Sequence, residues 1–165
     1  MKKSQGSGPR FILGIDPGFG RMGFGVIGIQ DGQMEAVDFG VMTTAAGGDF
    51  GDRLAQLVED LHAVFTHWKP SVVAVEQLFF TNNQKTAIRV AEARGVVLLT
   101  AAQFGVPTVE FNPKQVKLAL TGDGNANKAA VQRMVKQLLG LPKAPKPDDA
   151  ADALAIALTA STWRG

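Results

Sequence analysis

Apolar residues in this chain form short continuous runs at several places. Three of these runs, FILGID, SVVAVE and VPTVEF, occupy residues 11–16, 71–76 and 106–111. Short apolar runs bounded by turn residues are typical of buried strands. Two further apolar segments, within residues 22–42, flank Asp31-Gly32, a dipeptide that favours a two-residue hairpin turn. The pattern therefore predicts a sheet that includes a β-hairpin.

Other segments carry apolar residues three or four positions apart, which is the spacing of an amphipathic helix. Residues 52–68 show it clearly, and Pro70 ends that segment. Further helices are predicted at residues 82–104, from Asn112-Pro113 to about Leu120, at 127–140 with Gly140 as the stop, and after the proline-bearing linker 141–147. This order predicts a single α/β domain, in which a mixed sheet is flanked by helices.

Composition narrows the class of protein. The chain has 165 residues, no cysteine and a formal net charge of +2, so disulfides, zinc knuckles and thiol chemistry are excluded. Its longest apolar stretches are too short to span a bilayer, and a cytoplasmic location is expected. Residues 1–10 are basic without an apolar core, so we expect a disordered basic leader rather than a secretory signal. An arm that contacts DNA is the alternative.

An acidic cluster opens the last predicted helix, where KPDDAADALAIALTA places three aspartates within five residues. Helix capping accounts for Asp148 and could account for Asp149, because carboxylates favour the first turn of a helix. It does not account for Asp152, which lies one turn further on the same side. Asp148 is expected to be a cap, and the other two aspartates are expected to have a different role.

Two predicted strands also end on acids, Asp16 and Glu76. Asp16 could simply form the turn before Pro17-Gly18, whereas a glutamate directly after an apolar strand is harder to explain structurally. If the strands are neighbours and the last helix crosses them, these two acids meet Asp149 and Asp152. Four carboxylates would repel one another without cations. Two magnesium ions would neutralise them and would suit in-line attack on phosphodiesters.

Five blocks, LGIDPG, AVEQLFF, ARGV, QVK and DAADALAIA, follow one another within residues 11–160. In this order and spacing they resemble the RuvC family of bacterial Holliday junction resolvases. The resemblance implies a ribonuclease-H-like nuclease domain over residues 11–165, and magnesium-dependent nicking of two opposed strands of a four-way junction. Manganese could replace magnesium. It further implies a homodimer and the branch-migration partners RuvA and RuvB, and it assigns catalysis and metal binding to Asp16, Glu76, Asp149 and Asp152.

Nucleic-acid contacts are also implied by the resemblance, at Lys117 and Lys128 for phosphate and at Phe79 for stacking on an unpaired base. Ordinary surface exposure is the alternative for each lysine, and core packing is the alternative for Phe79. Without the four acids, 11 acidic side chains face 17 basic ones, a surplus that suits a polyanion. Residues 82–104 carry more Ala, Val and Leu than one sheet face needs and are the expected dimer interface, with core packing as the alternative.

Three other functions compete with this interpretation. An ATP-binding phosphotransferase of the actin and sugar-kinase type has a similar opening strand, but it needs a second half for which 165 residues leave no room. A non-catalytic junction-binding protein would not need all four acids. A small nuclease of the same fold that acts on RNA stays open, and a cleavage assay on junction, duplex and RNA hybrid would separate it.

Overall fold

The central feature of the computed structural model is a five-stranded mixed sheet with the strand order β3-β2-β1-β4-β5. The structure describes residues 8–78 and 83–162. Its elements are β1 (Arg10–Asp16), β2 (Arg21–Gln30), β3 (Gln33–Thr43), α1 (Phe50–Trp68), β4 (Val72–Glu76), α2 (Gln84–Gln103), β5 (Thr108–Phe111), α3 (Pro113–Thr121), α4 (Lys128–Leu138) and α5 (Asp148–Thr162). The predicted fold class, a mixed sheet flanked by helices in one domain, is confirmed.

Strand direction changes at the centre of the sheet. β1 pairs with β2 and β2 with β3 in antiparallel fashion, whereas β4 runs parallel to both β1 and β5. The predicted hairpin is confirmed, because Asp31 and Gly32 join β2 to β3 with φ values of 52° and 80°. These positive angles match the two-residue turn that the sequence predicts.

The boundary of the N-terminal leader needs one correction. Arg10, which we expected in a disordered segment, is the first residue of β1 and pairs with Ile29. The backbone pairing with β2 extends one residue beyond the apolar run, which is why hydrophobicity alone places the boundary too late. The remaining leader prediction falls largely on residues 1–7, which lie outside the described part of the chain.

Alternation along β1 divides the core into two layers. Leu13 and Ile15 face α1 and α2, where they pack with residues such as Leu57 and Val97. Ile12 points to the other side, among residues of α3, α4 and α5. Successive side chains of a strand point to opposite faces, so one central strand supports both layers.

Helix α5 lies unusually close to the sheet because glycines face it. A Cβ placed on Gly14 would lie 2.1 Å from the carbonyl oxygen of Ala153, and one on Gly23 would lie 2.1 Å from that of Asp149. Side chains at these positions would therefore force the helix outward.

None of the helices in residues 8–78 and 83–162 combines the length and the apolar character that a membrane span requires.

Candidate active site

Two of the predicted acids lie at the carboxyl ends of neighbouring parallel strands. Ile15 of β1 pairs with Val75 of β4, so the next residues, Asp16 and Glu76, leave the sheet at the same edge. Their side chains share a hydrogen bond. Functional groups commonly collect where parallel strands end, and here topology alone brings together two acids separated by 60 positions.

The start of α5 brings the other two acids to this edge. Asp16 pairs with Gly23 across the β1–β2 ladder, and the backbone carbonyl of Asp149 rests directly on Gly23. Asp152 lies near enough to raise the pKa values of both Asp16 and Glu76 through charge repulsion. The structure therefore assembles all four predicted acids from three elements, β1, β4 and α5.

Electrostatics show how crowded these carboxylates are. Burial, followed by the charges of Glu76, Asp152 and Asp149, raises the pKa of Asp16 to about 8. Burial and the charge of Asp152 also raise the pKa of Glu76, while its hydrogen bond with Asp16 acts in the opposite direction. The hydrogen bond between the two side chains thus raises the pKa of Asp16 and lowers that of Glu76, so the two carboxyl groups titrate as a coupled pair.

Arg21 is part of this site, although its sequence context does not indicate a role there. Its Nε and Nη2 atoms donate to Oδ2 of Asp149 at 3.1 and 3.0 Å. The two residues are 128 positions apart and meet because β2 begins beside the first turn of α5. The family blocks considered above do not include Arg21, so only an expectation that a cation must balance Asp149 could have pointed to it.

Lys128 has the corresponding position beside Asp152, with its Nζ 3.3 Å from Oδ2. Burial disfavours the lysine charge, but Asp152 and Asp148 outweigh that effect and raise the pKa of Lys128. Burial also raises the pKa of Asp152, which Lys128 opposes. Lys117 lines the same cavity of about 260 Å³ as Glu76, Asp152 and Lys128. Both predicted lysines thus lie at the site.

Asp148 makes more contacts than a helix cap requires. Its carboxylate accepts hydrogen bonds from Gln132 at 3.2 Å and Lys146 at 3.1 Å, and it lies 3.5 Å from the Nζ of Lys128. Asp148 is the first residue of α5, and these partners are side chains rather than the backbone amides that a cap binds, so the expected role as a pure cap is not confirmed. The contacts instead tie α4 and the linker before α5 to the start of α5. The sequence missed this role since Gln132 and Lys128 belong to another helix.

Two further predictions concern the metal ligands and the base-stacking residue. Within residues 8–78 and 83–162, no three acidic or histidine side chains are arranged to hold a metal ion as they stand. Asp149 and Asp152 instead bind Arg21 and Lys128, so the assignment of metal ligands stays a prediction. Phe79 falls outside the described residues, and its stacking role stays a prediction too.

Comparison with known proteins places this geometry in a family. The family model described as "Crossover junction endodeoxyribonuclease RuvC" matches residues 12–160. A relative of that name from Gloeobacter violaceus is 56% identical over 149 residues, which cover 90% of this chain and 86% of the relative. The RuvC of Prochlorococcus marinus strain MIT 9313 is 49% identical over 148 residues, with 90% and 96% of the two chains covered.

Solved structures agree with the sequence comparison. Thermus thermophilus RuvC in complex with Holliday junction substrate superposes with a TM-score of 0.88 at 37% identity, covering 92% of this chain and 93% of that one. The yeast mitochondrial Holliday junction resolvase Ydc2 shares the fold, with a TM-score of 0.65 at 17% identity and coverage of 94% and 81%. The residues matched by the family model contain all four acids and both lysines. Because that model and these relatives cover most of the chain, the protein belongs to the RuvC family of crossover junction endodeoxyribonucleases.

Proposed function

We propose that the protein resolves four-way DNA junctions by magnesium-dependent nicking of two opposed strands. The observation that carries the proposal is the set of four carboxylates at one sheet edge, with Lys117 and Lys128 on its flank. Membership of the family supports the nuclease activity. The substrate follows the Thermus thermophilus relative, which was solved with a Holliday junction.

The donor set fits magnesium chemically. All four side chains supply carboxylate oxygens, which this hard cation prefers, and burial together with the charges of the other three acids raises the pKa of Asp16 to about 8, so a bound cation would relieve their repulsion. Asp16 and Glu76 would hold the ions together with Asp149 and Asp152, once the last two exchange Arg21 and Lys128 for metal. When bound, two such ions would supply positive charge for in-line displacement at a phosphodiester, and manganese is expected to substitute.

The remaining residues orient the DNA. Lys128 leaves Asp152 in this scheme and turns its ammonium group toward the phosphate, while Lys117 binds the same strand from α3. Arg21, released from Asp149, provides a further donor at the scissile phosphate. Phe79 is proposed to stack on an unpaired base next to the cut, where an aromatic ring is worth roughly 1–3 kcal/mol per base.

Metal dependence is the first test of this function. Protein stripped of divalent ions should bind a synthetic four-way junction without cutting it, and magnesium or manganese should restore paired cuts in opposed strands. Linear duplex of the same sequence and an RNA–DNA hybrid should remain largely intact. Denaturing gels of end-labelled strands give the answer. Cleavage in the presence of a chelator, or equal cleavage of the hybrid, would contradict the proposal.

A two-fold symmetric homodimer would place two such sites on one junction. One face of α2 carries Ile88 and Leu99, whose exposed fractions are 58% and 57%. Gly95 lies between them, and a Cβ added there would meet nothing within 4 Å. Because glycine has no side chain, it allows a second helix to approach closely, and the exposed apolar side chains around it would then be buried. We therefore propose this face as the dimer contact.

The dimer proposal predicts that Leu99→Glu yields monomers. Sedimentation at micromolar concentration should give a species near twice 17.4 kDa for the unaltered protein and one near that mass for the variant. A charged side chain in an apolar contact must lose hydration, which opposes association. Leu138→Glu, on α4 at 40% exposure, is the matched control and should stay dimeric. A dimeric Leu99→Glu protein would place the contact elsewhere.

Two settings of this activity are also proposed. RuvA and RuvB, the branch-migration partners of the family, would deliver the junction, and the protein would act in the cytoplasm. Both rest on the membership of the family and on the expected DNA substrate. Copurification of the folded protein with a RuvA–RuvB–junction complex tests the first.

A further inference from the structure

A second group of cations lies near the site, on the other face of the sheet. The guanidinium carbon of Arg53 is 5.1 Å from the centre of the Phe19 ring. That of Arg89 is 4.7 Å from the centre of Phe50 and 5.8 Å from that of Phe19. The two rings meet edge to face, with centres 5.9 Å apart. We call these four residues the arginine–phenylalanine cluster.

Hydrogen bonds fix the cluster to the turn between β1 and β2. Nε of Arg53 donates to the hydroxyl of Thr44 at 2.9 Å, and that hydroxyl donates to the carbonyl of Phe19 at 2.6 Å. The amide of Thr44 also donates to the carbonyl of Gly20 at 3.2 Å. The position of Arg53 is therefore set before any ligand arrives, which lowers the entropic cost of binding.

The cluster is close to the four acids. Phe19 follows Asp16 by three residues, and a cavity of about 300 Å³ is lined by Pro17 and Glu76 on one side and by Thr86, Ala87 and Val90 of α2 on the other. Arg89 is three residues after Thr86 on this helix and lies just outside the cavity lining. Since α1 and α2 pack against one face of the sheet and α3 and α4 against the other, the acids lie between two groups of cations.

The charges of the cluster are available to a ligand. Neither Arg53 nor Arg89 has a carboxylate within 4.0 Å among residues 8–78 and 83–162. Asp49, the acid directly before α1, instead caps that helix by accepting hydrogen bonds from the backbone amides of Gly51 and Asp52. A guanidinium whose face covers an aromatic ring still presents N–H groups at its edge, which for Arg53 are those of the two Nη atoms because its Nε binds Thr44, and such groups match a phosphate.

We propose that the arginine–phenylalanine cluster binds a backbone phosphate of the junction, across the four acids from Lys117 and Lys128. The strand to be cut is then held at two points, one on each side of the scissile phosphate. This proposal rests on the proposed junction substrate and adds a contact that the predicted lysines do not provide. The ring contacts orient both planar guanidinium groups, so an arginine serves here better than a flexible lysine.

Salt dependence of junction binding tests the proposal. Arg53→Gln and Arg89→Gln should each reduce the slope of log K against log salt concentration by about 1, the loss expected for one phosphate contact. Binding to a four-way junction is measured without divalent ions between low and moderate salt. Lys136→Gln is the matched control, because Lys136 is exposed in the last turn of α4, at the end of that helix away from Lys128, and its slope should equal that of the unaltered protein.

Outcomes of this experiment are distinct. Unchanged slopes in both folded glutamine variants would overturn the proposal. If the Arg53→Gln protein does not fold, the slope of Arg89→Gln alone tests the proposal, because Arg89 is exposed. An equal loss in Lys136→Gln would also overturn it, by showing that any surface cation contributes. Failure of the proposed function appears differently, as absence of junction cleavage by the unaltered protein with magnesium.

Discussion

Asp149→Asn and Glu76→Gln proteins should bind four-way junctions but fail to cut them. Each change keeps the size of the side chain and removes one anionic oxygen ligand, so we expect the cleavage rate to fall by a factor of roughly 10²–10³ or more. Binding should be equal or tighter, because each variant has one negative charge fewer near the DNA phosphates. Single-turnover cleavage and gel-shift titration on the same labelled junction measure both quantities.

Glu35→Gln is the control for these two variants. Glu35 is exposed on β3, away from the strand ends that hold the four acids, and its replacement removes one charge without touching the site. It should cut at the rate of the unaltered protein. An Asp149→Asn protein that nicks junctions at nearly the unaltered rate would show that the site assignment is wrong.

Gly14→Ala and Gly23→Ala should strongly destabilise the protein. In both cases the new Cβ would lie 2.1 Å from a backbone carbonyl of α5, and backbone cannot move aside as a flexible side chain does. Overpacking of this kind costs about 1–3 kcal/mol and sometimes more. Gly23→Ala should lower cleavage as well, because the oxygen that it displaces belongs to Asp149. Thermal unfolding and cleavage at a temperature below both transitions separate the two effects.

Gly48→Ala serves as the comparison for the glycine variants. A Cβ at Gly48 would contact only the carbonyl of Ala45, at 3.8 Å, which is an ordinary distance. Its melting temperature should match or slightly exceed that of the unaltered protein, since alanine restricts the unfolded chain. If Gly14→Ala melts at the same temperature as Gly48→Ala, α5 does not depend on the close approach that we describe.

Local patterns predict the elements of this fold well. The strand ending at Asp16, the Asp31-Gly32 turn and the helix stop at Gly140 each depend on residues within a few positions, and all three are found in the structure. The convergence of the four acids is harder to predict, because it requires β1 and β4 to be neighbours in the sheet. The family resemblance supplied that relation, and strand-end carboxylates made it physically reasonable.

The sequence does not predict contacts between residues that are far apart along the chain. Nothing near Arg21 indicates that it binds Asp149, and nothing near Asp148 indicates its bond with Gln132. The glycines of β1 and β2 look like ordinary interruptions of apolar strands until α5 is seen to lie on them. Such contacts depend on the distance between two layers, which the spacing of residues along one element does not encode.

The separation of 128 positions along the sequence between Arg21 and Asp149 affects how the protein folds during its synthesis. During synthesis, the chain carries β1 and β4 long before α5 emerges from the ribosome, and until then only Asp16 and Glu76 can meet. A nascent or partly folded chain therefore has half of its acids and no complete nuclease centre. Long-range closure of this kind slows folding, and an unfinished copy of the chain lacks two of the four acids that cleavage is proposed to need.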